Sequence, residues 1–474
     1  MTSSVTDDFR KNLLTQFKKD IDSSGSQYFI GLSRSEVFDE TVDTFSPYFQ
    51  SKTRHGLQTI KALSTSSFVV PYVRWDADAQ PGTYQAYDNG INRNFYVLNS
   101  VNEVFLCIEQ GKNADGSPKG SVVEPRTIDF QAAIPNGRLT NSHKTADDYV
   151  WRHMYTLSNL ALASFRTNDW MPVKKVTTSG FIAIPQEAQQ RSIQDSATPG
   201  EILGLAIDSA GRGDYDQLSP PTITIVGNGS GAQFRCEIAE GKIGRVFVDS
   251  DGYNSDPLLS YVTGTHKHGS GYDYATAVLS SGDAVLRPII GPREGINADP
   301  VTTLKTDALM VQVDFVGDEF DTILSENGFT QICLMKNVTK FGSDSAFVGN
   351  TANALYSFSL SSVTGTFSNN EKFFNQSQVA YAKTAWHDTS TQTLYYYQDE
   401  ETGFTPFSVT DTITGQLNSG NGTIDAINDP DIDRYSGEIL YINSYGGEGP
   451  GTPTTAITRG QNQTEDIRIV FQLG

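Results

Sequence analysis

The chain has 474 residues, with 35 Lys and Arg against 55 Asp and Glu, a net charge of -20 and 11% aromatic residues. Binding to DNA or RNA needs clustered Lys and Arg to displace counterions. No run here exceeds two adjacent basic residues, so nucleic acid is excluded as the main partner.

With 42 Gly, 26 Phe and 21 Tyr against 5 Met, the composition favours β structure rich in turns. It is not the composition of a disordered chain. The acidic excess is read first as solubility. Cys107, Cys236 and Cys333 lie far apart and form no CxxC pair. Such cysteines are expected to be small buried hydrophobes in a protein folded in a reducing cytoplasm.

Residues 7–22, DDFRKNLLTQFKKDID, place Phe9, Leu13, Phe17 and Ile21 at spacing four. This predicts a short amphipathic helix, with Thr6 as cap and Asp7 and Asp8 at its positive end. The pattern is not that of a signal peptide, and no apolar run approaches the ~18 residues of a membrane span. A soluble protein with no membrane partner is expected. YFIGL, within residues 26–40, reads as a buried strand with SRSE as its polar exit. KTRHGLQTIKALS (52–64) puts Leu57, Ile60 and Leu63 on one side and predicts a second helix. SSFVVPYVRWD (66–76) is strand-like, with Pro71 marking an edge or bend. NRNFYVLNSVNEVFLCIEQG (92–111) reads as a hairpin. In DDYVWRHMYTLSNL (147–160), Tyr149, Trp151, Tyr155 and Leu157 are expected on one strand face, with Val150 and Met154 on the other.

The texture changes at residues 200–290. AIDSAGRGDYD (206–216) and FVDSDGYNSDP (247–257) both run strand, glycine turn, tyrosine, polar exit, and HGSGYDYATAVLSSGDA (268–284) is a weaker echo. Short strands punctuated by Gly predict a small all-β module. ALMVQVDFVG (308–317) and FTQICLMKNV (329–338) return as core strands. Residues 346–430 predict a second insertion, a small barrel of short antiparallel strands. RYSGEILYIN (434–443) and TEDIRIVFQLG (464–474) close the chain as two strands. The predicted organisation is nested. Residues 1–195 plus 291–345 plus 431–474 form a discontinuous core, and modules 200–290 and 346–430 leave it from exposed loop tips. The closing strands are expected to complete a sheet begun near the N-terminus.

No stretch has the pattern of an active site. GNGSGA (227–232) lacks the GK[ST] ending of a phosphate loop and precedes a strand-like run, so it reads as a turn. GLSRS (31–35) ends in Ser35 where the nucleophile elbow has Gly, so Ser33 is not assigned as a nucleophile. His266 and His268 in THKHG lie two apart and could share a metal, but further ligands cannot be picked out. VDSDGYNSD (248–256) and NDPDIDR (428–434) lack the distal Glu of a calcium loop, and Asx turns explain them. No catalytic, cofactor-binding or metal residues are assigned, no cofactor is expected, and the chain is not read as an enzyme.

Four stretches, in order, carry a family resemblance: FIGLSRSEVF (29–38), DDYVWRHMYTL (147–157), RYSGEILYIN (434–443) and QTEDIRIVFQL (463–473). Through them the chain resembles the gene product eight family, a baseplate wedge subunit of T-even-type contractile-tailed bacteriophages. The closing pair is the most specific part. The likeness does not extend to residues 200–290 or 345–430. It implies a mainly β fold, a layered antiparallel β-sandwich core with short helices in side loops, and a homodimer. It also implies a structural role in the tail baseplate wedge of the virion, after synthesis and assembly in the host bacterial cytoplasm. The implied neighbours are other wedge proteins and tail-fibre attachment components. No functional residues carry over. The inserted modules motivate an alternative, a tail-fibre-type protein binding cell-surface glycan. A polysaccharide-degrading tail enzyme is the third reading, and the sequence singles out no carboxylate pair for it.

Overall fold

Stretches such as YFIGLS, QICLMK and EILYINS are short, largely apolar runs, and each forms a strand. The computed structural model describes the chain outside residues 1–6, 24–26, 35–42, 64, 85–93, 114–116, 128–142, 178–181, 183, 250–266, 318–327, 418, 445–456, 459, 461–462 and 473–474. The fold is mainly β, with antiparallel sheets, a closed barrel and a few short helices. It divides into two compact units: Met1–Leu14, Ser67–Leu309 and Phe471–Gly474 form one, and Thr15–Ser66 and Met310–Val470 the other. This division runs through the residues expected as one discontinuous core. Of them, 67–195 lie in the first unit and 310–345 and 431–470 in the second.

In the second unit a five-stranded sheet has the order Thr351–Asn353, Leu57–Ala62, Tyr28–Ser33, Gln331–Lys336, Glu438–Ser444. Every neighbouring pair is antiparallel. The closing strand Glu438–Ser444 thus joins the sheet that holds Tyr28–Ser33. Phe29, Leu57, Ile60, Cys333, Met335, Ile439 and Ile442 share one apolar cluster on this sheet.

The second predicted helix is corrected here. The helix Pro47–His55 stops at Gly56, and Leu57–Ala62 is a strand. Its Leu57 and Ile60 are buried, but so are Gln58 and Thr59 between them. A segment covered on both faces shows no clean period, and its spacing of three was accidental.

Between Lys336 and Glu438 the chain builds a closed antiparallel barrel. Its strands, in order around the barrel, are Tyr356–Thr364, Thr393–Tyr397, Tyr381–Asp388, Lys372–Asn375, Thr412–Gly415 and Asn421–Asn428. Alternate residues point inward, as the two-residue period requires. Phe358, Phe373, Leu394, Tyr396, Phe407, Ile413 and Ile424 fill the interior. The Phe358 and Tyr396 rings stack with centroids 4.1 Å apart.

In the first unit a four-stranded sheet has the order Tyr96–Leu98, Glu103–Glu109, Val150–Thr156, His143–Lys144. The expected hairpin is present, with Val97 opposite Phe105. Tyr149 and Trp151 stack at 5.3 Å and pack with Val97, Phe105 and Cys107. Burial along this strand is not confined to one face, because Arg152, His153 and Met154 are buried as well. Asn297 donates to the His153 and Met154 carbonyls and fastens a distant loop to this strand.

The described residues of 202–290 in the same unit form several short sheets around their own apolar cluster, which includes Ile202, Phe234, Ile238, Ile243, Tyr272 and Leu286. Tyr215 and Tyr272, the tyrosines of two repeat echoes, are both buried.

The N-terminal helix Asp7–Asp22 is present, but its buried stripe is not the expected one. Leu14 and Ile21 are buried, while Phe9 is 54% and Leu13 47% exposed. Side chains at spacing four drift about 40° per step around a helix, so a long run of them leaves one face. Spacing seven, Leu14 to Ile21, stays on it.

Gly31 sits where Tyr28–Ser33 is covered on both sides. A Cβ there would lie 2.7 Å from Cys333 Sγ and 2.8 Å from Leu57 Cδ1. Gly31→Ala is expected to destabilise the protein by about 1–3 kcal/mol through overpacking. Urea unfolding followed by tryptophan fluorescence checks this, and an unchanged midpoint would contradict the packing described.

Candidate interaction site

The residues singled out in the sequence fall mostly into structural positions. Ser33 is buried, and its hydroxyl donates to the Thr53 carbonyl at 2.7 Å. GNGSGA spans the end of strand Ile223–Gly227 and strand Ser230–Ala232, and a further strand follows, not a helix. Asn228 of this loop accepts from the Asp273 and Tyr274 amides. His268 is buried, with Nδ1 2.9 Å from the Ile202 carbonyl. His266 lies outside the described residues, as do residues 250–256 of the first Asp-rich loop. Asp249, which opens that loop, pairs with Arg235 at 2.7 Å. In the second loop, Asp431 accepts from the Asn353 amide and Asp433 from the Tyr435 amide. Cys107, Cys236 and Cys333 are free and buried. Burial pushes the Cys107 and Cys236 thiols up, and Cys333 up to about 12. None of the three is thereby activated as a nucleophile. Among the described residues no group of three or more His, Cys, Asp or Glu is placed to hold a metal.

A different constellation stands out in the second unit. It is built where helix Pro47–His55, the barrel loop after Tyr397 and the turn before Glu438–Ser444 meet. Arg434 is its buried anchor. Its guanidinium donates to the His55 carbonyl at 3.1 Å and to the Ala354 carbonyl, and lies 5.5 Å from the Tyr356 ring centroid. Arg54 donates to the Arg434, Ser436 and Gly437 carbonyls at 2.6–2.8 Å. The turn between them needs glycine. Gly437 has φ +65°, and a Cβ there would meet the Lys336 carbonyl at 2.4 Å.

This anchored frame presents aromatic rings to the outside. His55 packs against Phe404 at 5.0 Å and Tyr435 at 5.8 Å, and Glu400 bridges it to Lys52. The Lys52 ammonium in turn sits over the Tyr48 ring. Phe404, Tyr435 and Tyr48 are each more than half exposed. Burial alone would raise the Glu400 carboxyl. Its own backbone amide, Lys52 and His55 outweigh that and hold it below the usual range. The patch therefore carries matched charges amid exposed rings. Interface cores have this composition: aromatic, with few unpaired charges.

The barrel adds a second charged group, on its outer surface. Lys383 pairs with Asp399 at 2.7 Å and Glu401 at 2.6 Å, and Lys372 also reaches Glu401. Bonds from Lys372 and Lys383 draw the Glu401 carboxyl down to about 2. This network ties the loop 399–407 to the barrel wall and so fixes the position of Phe404.

The sequence motifs did not find this patch. Tyr435 belongs to the RYSG stretch, but nothing local distinguishes its exposed ring from the half-buried ring of Tyr356. His55 lies hundreds of residues from Glu400 and Phe404 in the chain, and no spacing rule brings it to them. No protein-family model, curated protein or solved structure matches the chain.

Arg434→Met keeps the volume and removes the donors, leaving buried carbonyls without partners. It is expected to cost about 2–4 kcal/mol, read as a lower midpoint in urea, and a loss within about 0.5 kcal/mol would remove Arg434 as the anchor. His387 in the barrel supplies a pH test. It is buried, with neither ring nitrogen hydrogen-bonded among the described residues, and burial lowers its pKa. Unfolded chains take up the proton first, so its stabilisation is complete above about pH 6.5 and declines as the pH falls below that. His387→Phe is expected to flatten this part of the stability curve. Parallel curves for both proteins in thermal melts would contradict it.

Proposed function

We propose that this chain is a structural subunit of a contractile phage tail baseplate wedge, acting as a homodimer that holds neighbouring wedge proteins and fibre-attachment components. The observation that carries the reading is the ordered set of four stretches ending in RYSGEILYIN and QTEDIRIVFQL. Two further features support it. The fold is mainly β with small modules, a build suited to presenting surfaces. Its most distinctive constellation is an aromatic patch with paired charges, held by a buried arginine.

Physical chemistry makes the same demand of such a subunit. It must bind several partners through rigid faces and keep its own core through a rearrangement. A patch mounted on a sheet, a helix and a barrel at once is pre-organised, so little ordering is lost on docking. The net charge of -20 would further steer the protein onto basic partner faces.

The first test is the mass in solution by light scattering. A dimer of twice 51.8 kDa is expected. A trimer would overturn the homodimer and favour the glycan-binding fibre reading, which a glycan array would then examine. The second test mixes the protein with wedge subunits. Co-migration is expected. Replacing Phe404 and Tyr435 together with Ala should weaken that binding about tenfold or more with little change in melting temperature. Full binding by the double variant would remove the patch from the interface.

A further inference from the structure

The module 202–290 meets the four-stranded sheet of its own unit through charged groups. Strand Val150–Thr156 supplies Arg152, and Glu201 stands just before strand Ile202–Ser209. Arg152 Nη1 and Glu201 Oε2 are 2.5 Å apart, and both side chains are about nine-tenths buried. His268, on the module's strand His268–Ser270, completes the cluster. Its Nδ1 lies 2.9 Å from the Ile202 carbonyl. A carbonyl can only accept, so Nδ1 carries the hydrogen, and a second proton would have to go to Nε2. Further out, Arg245 of strand Lys242–Val248 lies 3.7 Å from Glu109 and 3.6 Å from Asp148 of the sheet side.

The module's apolar cluster draws on residues of the module alone. Opening this joint would leave that cluster intact. What opening must break is a buried ion pair and its surroundings, and such groups respond to added charge far more than apolar contacts do.

We propose that this joint is an acid-opened latch, in which protonation of His268 beside the Arg152–Glu201 pair releases the module 202–290 from the sheet. The inference is independent of the wedge reading.

The sign follows from the surroundings. Burial disfavours the imidazolium most, and Arg152 adds to this. Glu201 and the Ile202 carbonyl favour it, but the net effect lowers the pKa. In the open state the ring returns toward about 6.5. The closed joint is therefore at full strength above about pH 6.5 and weakens as the pH falls below it, because the open state binds the proton more tightly. The other charged groups near His268 are already matched. Lys267 and Asp249 face each other, and Asp249 also pairs with Arg235. His153 lies next to Arg152, but burial holds it at about 4, so it stays neutral through the window in which the latch opens.

The test is hydrogen exchange on the full chain at about pH 7.5 and about pH 5, either side of the free imidazole value, corrected for intrinsic rates. In the wild type the amides of residues 150–153, 199–204 and 267–271 are expected to lose protection at the lower pH, while strand Phe234–Ala239 keeps it. In His268→Gln, whose amide can still donate to Ile202 but cannot charge, that loss should disappear. Protection in the wild type that is the same at both pH values, or an equal loss in the variant, would overturn the latch. If the variant does not fold, the wild-type ring titration of His268 by NMR decides. Titration in step with the loss of protection supports the latch, and either event without the other rules it out.

Discussion

The strand Gln331–Lys336 is paired on both edges by segments from opposite ends of the chain. Tyr28–Ser33 lies on one side and Glu438–Ser444 on the other. A buried strand must have its N–H and C=O groups satisfied on both edges, since an unmet backbone group costs about as much as the bond it lacks. This obligation organises the second unit. Whatever the chain does after Lys336, it must come back beside the strand it left. The bridge Lys340 to Ile432 holds the two ends of the excursion close. Because the barrel closes on itself, it asks nothing of the parent sheet's edges and leaves no open edge of its own.

In both units buried charged side chains tie together segments that are distant in the chain. Arg434 and Arg54 join the helix Pro47–His55 to the turn before the closing strand by bonds to carbonyls. Arg152 and Glu201 join the module 202–290 to its sheet. Apolar contact would hold such seams as firmly, but it tolerates sliding. A guanidinium fixed to named carbonyls or carboxylates does not, which suits surfaces that must present a defined geometry.

The stretches that carry the resemblance hold mostly structural residues, and of the rings proposed to make contacts only Tyr435 lies within them. Gly31, Trp151, Arg434 and Gly437 are demanded by packing, backbone angle or buried hydrogen bonds. The exposed rings of Tyr48 and Phe404 lie outside the resembling stretches. Under the wedge reading, a shared scaffold would thus carry surfaces particular to this chain.

Much of the fold could be read from local pattern. The β class, the 92–111 hairpin, the N-terminal helix and the barrel within 346–430 all follow from two-residue alternation, turn residues and composition, because these act on the nearest few residues. The sequence also ruled out a phosphate loop at GNGSGA and a nucleophile elbow at Ser33, since each needs a fixed local spacing that is missing. The tertiary structure decided the rest. It made Leu57–Ala62 a strand by covering both its faces, turned Phe9 and Leu13 outward, buried Arg152 and His153, and brought His55, Glu400 and Phe404 together. Which strand pairs with which, and which ring stays exposed, depends on neighbours up to several hundred residues away, and that information is not present in any window of the sequence.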